Sequence, residues 1–231
     1  MANPGILTVI RQNPLFKGLP GQLHERVADL CQTRRLAKGE LLCRQGEPGN
    51  ALYGIVSGQV RISANSADGQ EFHLNVLGPG EVLGEIALLD GGERTASAAA
   101  TVDSLVFALP RDTFAQLLKD EPQLSVHLLT LLCARIRWTS DIVEDVAFRS
   151  VPMRLARRVA ILARLHGEQS PEGMVLRLSQ AELAQFLNVS RQVVNGNLQN
   201  WQRMDVIKVS RGKLIVRDFD GLEAAASEVP E

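Results

Sequence analysis

The alternation of hydrophobic and polar positions changes rhythm several times along the chain. Residues 6–36 carry Leu7, Ile10, Leu23, Val27 and Leu30 at helical spacing, interrupted by Pro14 and Pro20, and predict a helical start. From Gly39 to Gly92, eleven glycines punctuate short β-type runs such as Leu52–Val56 and Gln59–Ser63. Frequent turn signals among short strands describe a compact antiparallel roll or barrel. Asp68-Gly69 reads as a hairpin turn, and strands resume at Thr101–Ala108. Residues 122–148 then predict one long helix. Val126, Leu129, Cys133, Ile136, Ser140, Val143 and Ala147 alternate by three and four, a heptad stripe with Ser140 as its polar member and Thr139 beside it. So narrow a stripe buries well against an identical helix, which predicts a parallel coiled-coil homodimer. Arg135, Arg137, Asp141, Glu144 and Asp145 lie off it.

Phe148–Ser150, ahead of Pro152, marks a break. Residues 153–166 read as a basic helix with Arg154, Arg157, Arg158 and Arg164, Gly167–Gly173 as a polar loop, and Val175–Leu178 as a short strand. Ser179-Gln180-Ala181-Glu182 is a capping box that starts a helix. From Ser179 to Trp201 the pattern is helix, turn, helix. Leu183, Ala184 and Leu187 form the first apolar face, Asn188-Val189 the turn, and Ser190 the second N-cap. Val194, Leu198 and Trp201 form the second buried stripe. The opposite face carries Arg191, Gln192, Asn195, Gly196 and Gln199, and Arg, Gln and Asn are the residue types that read base edges in the major groove. Arg203, Lys208, Arg211 and Lys213 flank this helix where phosphates would pass. Val206–Val209 and Leu214–Val216, joined by Ser210-Arg211-Gly212-Lys213, predict a wing hairpin.

Charge sharpens this division. Residues 1–147 hold 13 Lys/Arg against 17 Asp/Glu, whereas residues 148–217 hold 12 Lys/Arg against 4 Asp/Glu, before an acidic tail. A basic block behind an acidic one implies that the C-terminal part meets a polyanion. The 231 residues suffice for one large domain or two small ones, and 45% apolar with 22% charged residues is ordinary for a globular protein. No apolar run approaches the roughly 18 residues of a spanning helix, and Met-Ala-Asn-Pro-Gly is not a signal peptide. Cys31, Cys43 and Cys133, odd in number and far apart, imply a reducing, cytoplasmic setting.

The segment Gly84–Ser97 carries the most specific chemistry. Glu85 and Arg94 lie on a Gly-bounded turn whose free backbone N–H groups and guanidinium suit a phosphate, while a carboxylate suits a sugar hydroxyl. This pairing points to a nucleotide with a single phosphate charge. The segment resembles the phosphate-binding cassette of the cyclic-AMP receptor protein (CRP/FNR-type) family of bacterial transcription regulators. The resemblance runs from about Leu15 to about Leu222, including Lys38-Gly39-Glu40, Gln45-Gly46-Glu47, Tyr53, Ile55 and Gly58 of the first half of the roll. In the second part it runs through Leu178, Leu183, Ala184, Leu187, Val189, Ser190 and Arg191 of a winged helix–turn–helix. It departs at Gln192, where many members have Glu, and at Gly196, where many have a base-reading Arg. Gly inside a helix costs about 1 kcal/mol against Ala, so its presence wants a reason.

The resemblance implies an α+β chain: an N-terminal antiparallel β-roll domain that binds cyclic nucleotide (1–121), a dimerisation helix (122–148), a C-terminal winged helix–turn–helix domain (149–222) and an acidic tail (223–231). It implies a ligand set of Gly84, Glu85, Ile86, Ala87, Arg94, Thr95 and Ala96, joined by Thr139 and Ser140 at the adenine. Glu85 takes the ribose hydroxyl and Arg94 the cyclic phosphate. Thr139-Ser140 favours cyclic AMP, while a Thr after the cassette Arg also occurs in domains that accept cyclic GMP. The DNA set is Ser179, Ser190, Arg191, Gln192, Asn195, Gly196, Gln199, Arg203, Arg211 and Lys213, on a palindromic operator, with RNA polymerase as a further partner. Two alternatives use the same scaffold, a nucleotide-independent regulator and a redox or gas sensor. Cys31 and Cys43 cannot supply the four thiolates of an iron–sulfur cluster, and His24, His73, His127 and His166 lack haem-ligand spacing. No metal, haem, membrane or enzymatic role is expected.

Overall fold

The computed structural model describes residues 4–66, 69, 71–210 and 212–227, which fall into two compact units, Met1–Arg137 and Trp138–Glu231. The first opens with helices α1 (Pro4–Gln12) and α2 (Gly21–Leu30). The predicted helical stretch stops there, because residues 32–36 form strand β1 (Gln32–Leu36), antiparallel to a later strand from Gln32↔Ala108 to Leu36↔Ser104. Only Leu36 of β1 is buried, so the strand has no apolar alternation and its pairing overrides local preference.

The roll continues with β2 (Leu41–Cys43), β3 (Ala51–Ser57), β4 (Val60–Asn65), β5 (Glu71–Leu77), β6 (Val82–Leu83), helix α3 (Glu85–Asp90), β7 (Ser97–Ala100) and β8 (Ser104–Pro110). Two four-stranded antiparallel sheets result, β1-β8-β3-β6 and β2-β7-β4-β5, sharing a core of Leu36, Leu42, Ile55, Val60, Leu77, Leu83 and Val106. Strands resume at Ser97 rather than Thr101, and residues 101–103 bend between β7 and β8. Alanine is a weak strand former, so Ala98–Ala100 give little local signal, but β7 is paired on both sides, by β2 and β4. The hairpin turn expected at Asp68-Gly69 includes Asp68, which lies outside the described residues.

Helix α4 (Arg111–Asp120) and the start of α5 (Pro122–Phe148) close a second core over β3 and β8. Ile6, Ile10, Leu15, Phe16 and Val27 pack there with Phe107, Leu109, Phe114, Leu124 and Leu128. Fully burying such side chains contributes about 1.5–3 kcal/mol each. Buried Asn13 pins this helical layer to the roll by accepting from Leu15 N at 2.8 Å and donating to Gly80 O. Three histidines are structural in their surroundings. A ring nitrogen of His24 is 2.8 Å from Phe16 O, one of His127 is 3.1 Å from Leu15 O, and His73 is fully buried 3.6 Å from Glu71.

The second unit starts within α5. Its last turn ends at Phe148, Ser150 takes an extended conformation, and α6 (Val151–His166) begins with Pro152, whose missing N–H is harmless in a first turn. Asp145 holds this corner, 3.0 Å from Arg149 and 3.4 Å from Arg157. Then come β9 (Glu168–Ser170), β10 (Gly173–Leu176), α7 (Gln180–Leu187), α8 (Arg191–Arg203), β11 (Ile207–Ser210), β12 (Lys213–Val216) and α9 (Phe219–Ser227). The sheet order is β11-β12-β10-β9. Strand β9 lies in the stretch expected as a polar loop, because pairing with β10 from Gly173↔Ser170 to Val175↔Glu168 recruits polar residues to the sheet edge. Residues 223–227, expected as tail, continue α9, which packs on α6; residues 228–231 lie outside the described residues. Among the described residues no helix is long and apolar enough to cross a membrane.

Candidate nucleotide pocket and nucleic-acid interface

Helix α3 is launched by Gly84, whose φ of +89° lies in the left-handed region. A Cβ at Gly84 would collide with the Arg94 guanidinium and stand 3.2 Å from Ala51 O, so glycine is needed both for backbone and for space. Glu85, the first residue of α3, is 4% exposed; Ala87 is buried and Ile86 is exposed. Arg94 is also 4% exposed. Its guanidinium donates to Gly84 O at 3.0 Å and to Ala51 O at 2.7 Å, and lies 5.1 Å from the Tyr53 ring centroid. Backbone bonds Arg94 N→Glu47 O (2.7 Å) and Gly46 N→Arg94 O (2.9 Å) fix its position. Among the described residues Arg94 has no carboxylate partner. Thr95 is exposed, Ala96 half-buried, and Ser97 Oγ accepts from Gln45 N at 3.0 Å.

Glu85 does have an ionic partner. Arg135 of α5 places Nε 3.4 Å from Glu85 Oε1 and donates to Val82 O at 2.8 Å. Glu85 and Arg135 cancel, and Arg94 leaves the trio with one positive charge. Sequence reasoning placed Arg135 only as an off-stripe residue. Glu85 lies fifty positions before Arg135, so no local signal in the sequence announces the contact. Thr139 and Ser140 are exposed on α5, in the second unit. The heptad stripe is open along its length, with Val126, Leu129, Ile136 and Val143 between 61% and 64% exposed, and Cys133, Ser140 and Ala147 exposed beside them.

In the second unit the predicted capping box forms: Ser179 Oγ accepts from Glu182 N at 3.2 Å while Glu182 accepts from Ser179 N at 2.8 Å. Asn188 ends α7 with φ +53°, a left-handed conformation that Asn tolerates better than most residues. Ser190 caps α8 by accepting from Val193 N at 3.3 Å. Val194, Leu198 and Trp201 are buried as the periodicity predicts; Arg191, Gln192, Gly196, Gln199 and Arg203 are exposed. Asn195 is half-buried, and its Oδ1 accepts from Gln180 at 3.1 Å, while Gln180 Oε1 accepts from Arg191 at 3.4 Å. Gln180, overlooked in the sequence, therefore braces α8. Gln202 accepts from Val209 N at 3.2 Å and ties α8 to the wing strand. Lys208 is held 2.8 Å from Glu172, and this bond keeps the Glu172 carboxyl below its ordinary range. Arg203 bonds Asn200 at 3.5 Å, Lys213 is exposed, and Arg211 lies outside the described residues.

Comparison with known proteins matches residues 33–121 to the cyclic nucleotide-binding domain and residues 153–225 to the Crp-like helix-turn-helix domain. A CRP-like cAMP-activated global transcriptional regulator of Mycobacterium tuberculosis is 31% identical over 222 residues, covering 94% of this chain and 98% of its own. The cyclic AMP receptor protein of Thermus thermophilus is 32% identical over 217 residues, again covering 94% of this chain and 98% of its own. Among solved structures, the c-di-GMP-responsive global regulator of Xanthomonas campestris shares the fold with a TM-score of 0.76 at 24% identity, over 85% of this chain and 99% of that one. With a buried arginine–glutamate cassette in one unit and a capped helix–turn–helix in the other, the chain belongs to the CRP/FNR family, as a nucleotide-responsive, DNA-binding transcription regulator rather than an enzyme.

Proposed function

We propose that this regulator works as a homodimer gated by cyclic AMP, with cyclic GMP as the second candidate. The observation that carries the reading is Arg94, a guanidinium 4% exposed that meets backbone carbonyls and an aromatic face but no carboxylate among the described residues. A buried cation without a counter-charge is costly, and a monoanion removes that cost. Cyclic AMP carries one phosphate charge, which suits the single uncompensated charge of Glu85, Arg135 and Arg94. A cyclic dinucleotide carries two and suits it less well. In this reading Arg94 holds the phosphate, Glu85 a ribose hydroxyl, Gly84, Ile86, Ala87, Thr95 and Ala96 shape the cradle, and Thr139 and Ser140 meet the base. Binding then stiffens the α5 pair and orients two α8 helices about 34 Å apart, one duplex turn, on a palindrome. Arg203, Arg211 and Lys213 serve phosphates, with RNA polymerase as the downstream partner.

Calorimetric titration of the dialysed protein with cyclic AMP, cyclic GMP and cyclic di-GMP, with and without operator DNA, tests the gating. One cyclic AMP should bind per chain, and operator should tighten it by the factor by which cyclic AMP tightens operator. Absence of heat with every nucleotide, alongside full operator affinity, overturns it.

The dimer seam has its own test. Four large aliphatic side chains left open on one helix face need a partner, since burying each contributes about 1.5–3 kcal/mol. In a parallel pair the two Cys133 residues face one another. Burial pushes the Cys31 thiol up to about 12 and raises that of Cys43 as well, so both stay protonated at neutral pH, while Cys133 is exposed. A short bis-maleimide should therefore yield a covalent dimer as the main product at pH 7, lost in Cys133→Ser. A monomeric product would contradict the parallel seam.

A further inference from the structure

The outward side of α8 is divided. With Val194, Leu198 and Trp201 buried, a helical step of about 100° per residue sets Gln192, Gly196, Gln199 and Arg203 opposite them, with Val193 on one flank and Arg191 and Asn195 on the other. The Arg191–Asn195 flank is occupied within the protein by Gln180, at 3.4 Å and 3.1 Å. The Gln192–Val193 side is different. Gln192 is exposed, and Val193, an aliphatic residue one position on, is 41% exposed. One turn later comes Gly196, where a Cβ would meet nothing within 4 Å and no positive φ is present. Packing within the unit therefore does not demand glycine there. Gly196 lies on the side that the DNA-binding reading assigns to the major groove.

We infer, resting on that DNA-binding reading, that the first turn of α8 selects an A·T-containing step. The Gln192 amide pairs one donor and one acceptor with adenine N6 and N7, and Val193 packs on the C5-methyl of a neighbouring thymine. Gly196 presents no side chain, so the base pair beneath it goes unread and the helix approaches the groove floor closely. Arg191, steered by Gln180, keeps a separate contact. A Glu in place of Gln192 would accept from cytosine N4 instead, and an Arg at 196 would reach guanine O6 and N7.

The test is selection from a randomised duplex pool by the intact protein, run dialysed, with cyclic AMP and with cyclic GMP. The wild type should enrich a half-site containing an A·T pair whose identity Gln192→Glu switches to C·G, with a loss of about 5- to 150-fold on the original site. Gly196→Arg should add a guanine preference at a position where the wild type accepts all four bases. Replacing the neighbouring thymine by deoxyuridine should weaken the wild type several-fold and leave Val193→Ala unchanged. If Gln192→Glu and Gln192→Ala both select the wild-type half-site, or if the Gln192-dependent pair is G·C, the inference is overturned while DNA reading stands. If no sequence is enriched under any condition, the DNA-reading assignment itself fails.

Discussion

Replacing Arg94 with alanine is expected to weaken cyclic AMP binding by about 10- to 150-fold, the equivalent of the roughly 1.5–3 kcal/mol that a hydrogen bond to a charged group contributes. Two consequences separate this from a simple loss of charge. Arg94 donates to Ala51 O and Gly84 O, so alanine leaves two carbonyls of the cradle without that donor and lowers the thermal midpoint of the first unit as well. Arg94→Lys keeps the charge but gives up the planar fork and its place over Tyr53. The lysine variant should stay closer to wild type in thermal stability and still lose most of the affinity. Calorimetry gives the affinities, and circular dichroism melts give the fold. Wild-type cyclic AMP affinity in a folded alanine variant would remove Arg94 from the ligand site.

What the sequence makes legible here is what repeats or stays local. The stripe from Val126 to Ala147 repeats over three heptads, and the structure leaves it exposed on α5. The Ser179–Glu182 capping box is complete within four residues and forms as read. The turn at Asn188 and the buried stripe of α8 are equally local. Contacts made across distance leave no such trace. Glu85 and Arg135 lie fifty positions apart, and nothing in either neighbourhood announces that they meet. Gln180 belongs to a capping box on its own account, so its grip on Arg191 and Asn195 stays hidden until α7 and α8 are packed. Strands β1, β7 and β9 fail for a related reason. Their residues are polar or small, and only the partner strand makes them extended. That Arg94 turns onto the carbonyls of Ala51 and Gly84 depends on a residue 43 positions away, although the presence of Glu85 and Arg94 in one Gly-bounded segment is plain from the chain.

Gly84→Ala is expected to damage the cassette almost as severely as losing Arg94, without replacing any charged side chain. The left-handed backbone at Gly84 costs an L-residue about 1–2 kcal/mol. The added methyl meets the Arg94 guanidinium on one side and stands 3.2 Å from the carbonyl of Ala51 on the other. The Ala51 carbonyl belongs to β3, which β8 holds from Ala51↔Pro110 onward, so it yields less readily than a side chain. The guanidinium must therefore leave, giving up its bonds to Gly84 O and Ala51 O. The protein should unfold at lower temperature and bind cyclic AMP at least tenfold more weakly. The double variant Gly84→Ala/Arg94→Ala supplies the decisive comparison. If the methyl acts by displacing Arg94, the two changes share one effect, and the double variant should bind no more weakly than Arg94→Ala alone. Additive losses would instead assign Gly84 its own contact with the ligand, through the backbone at the start of α3.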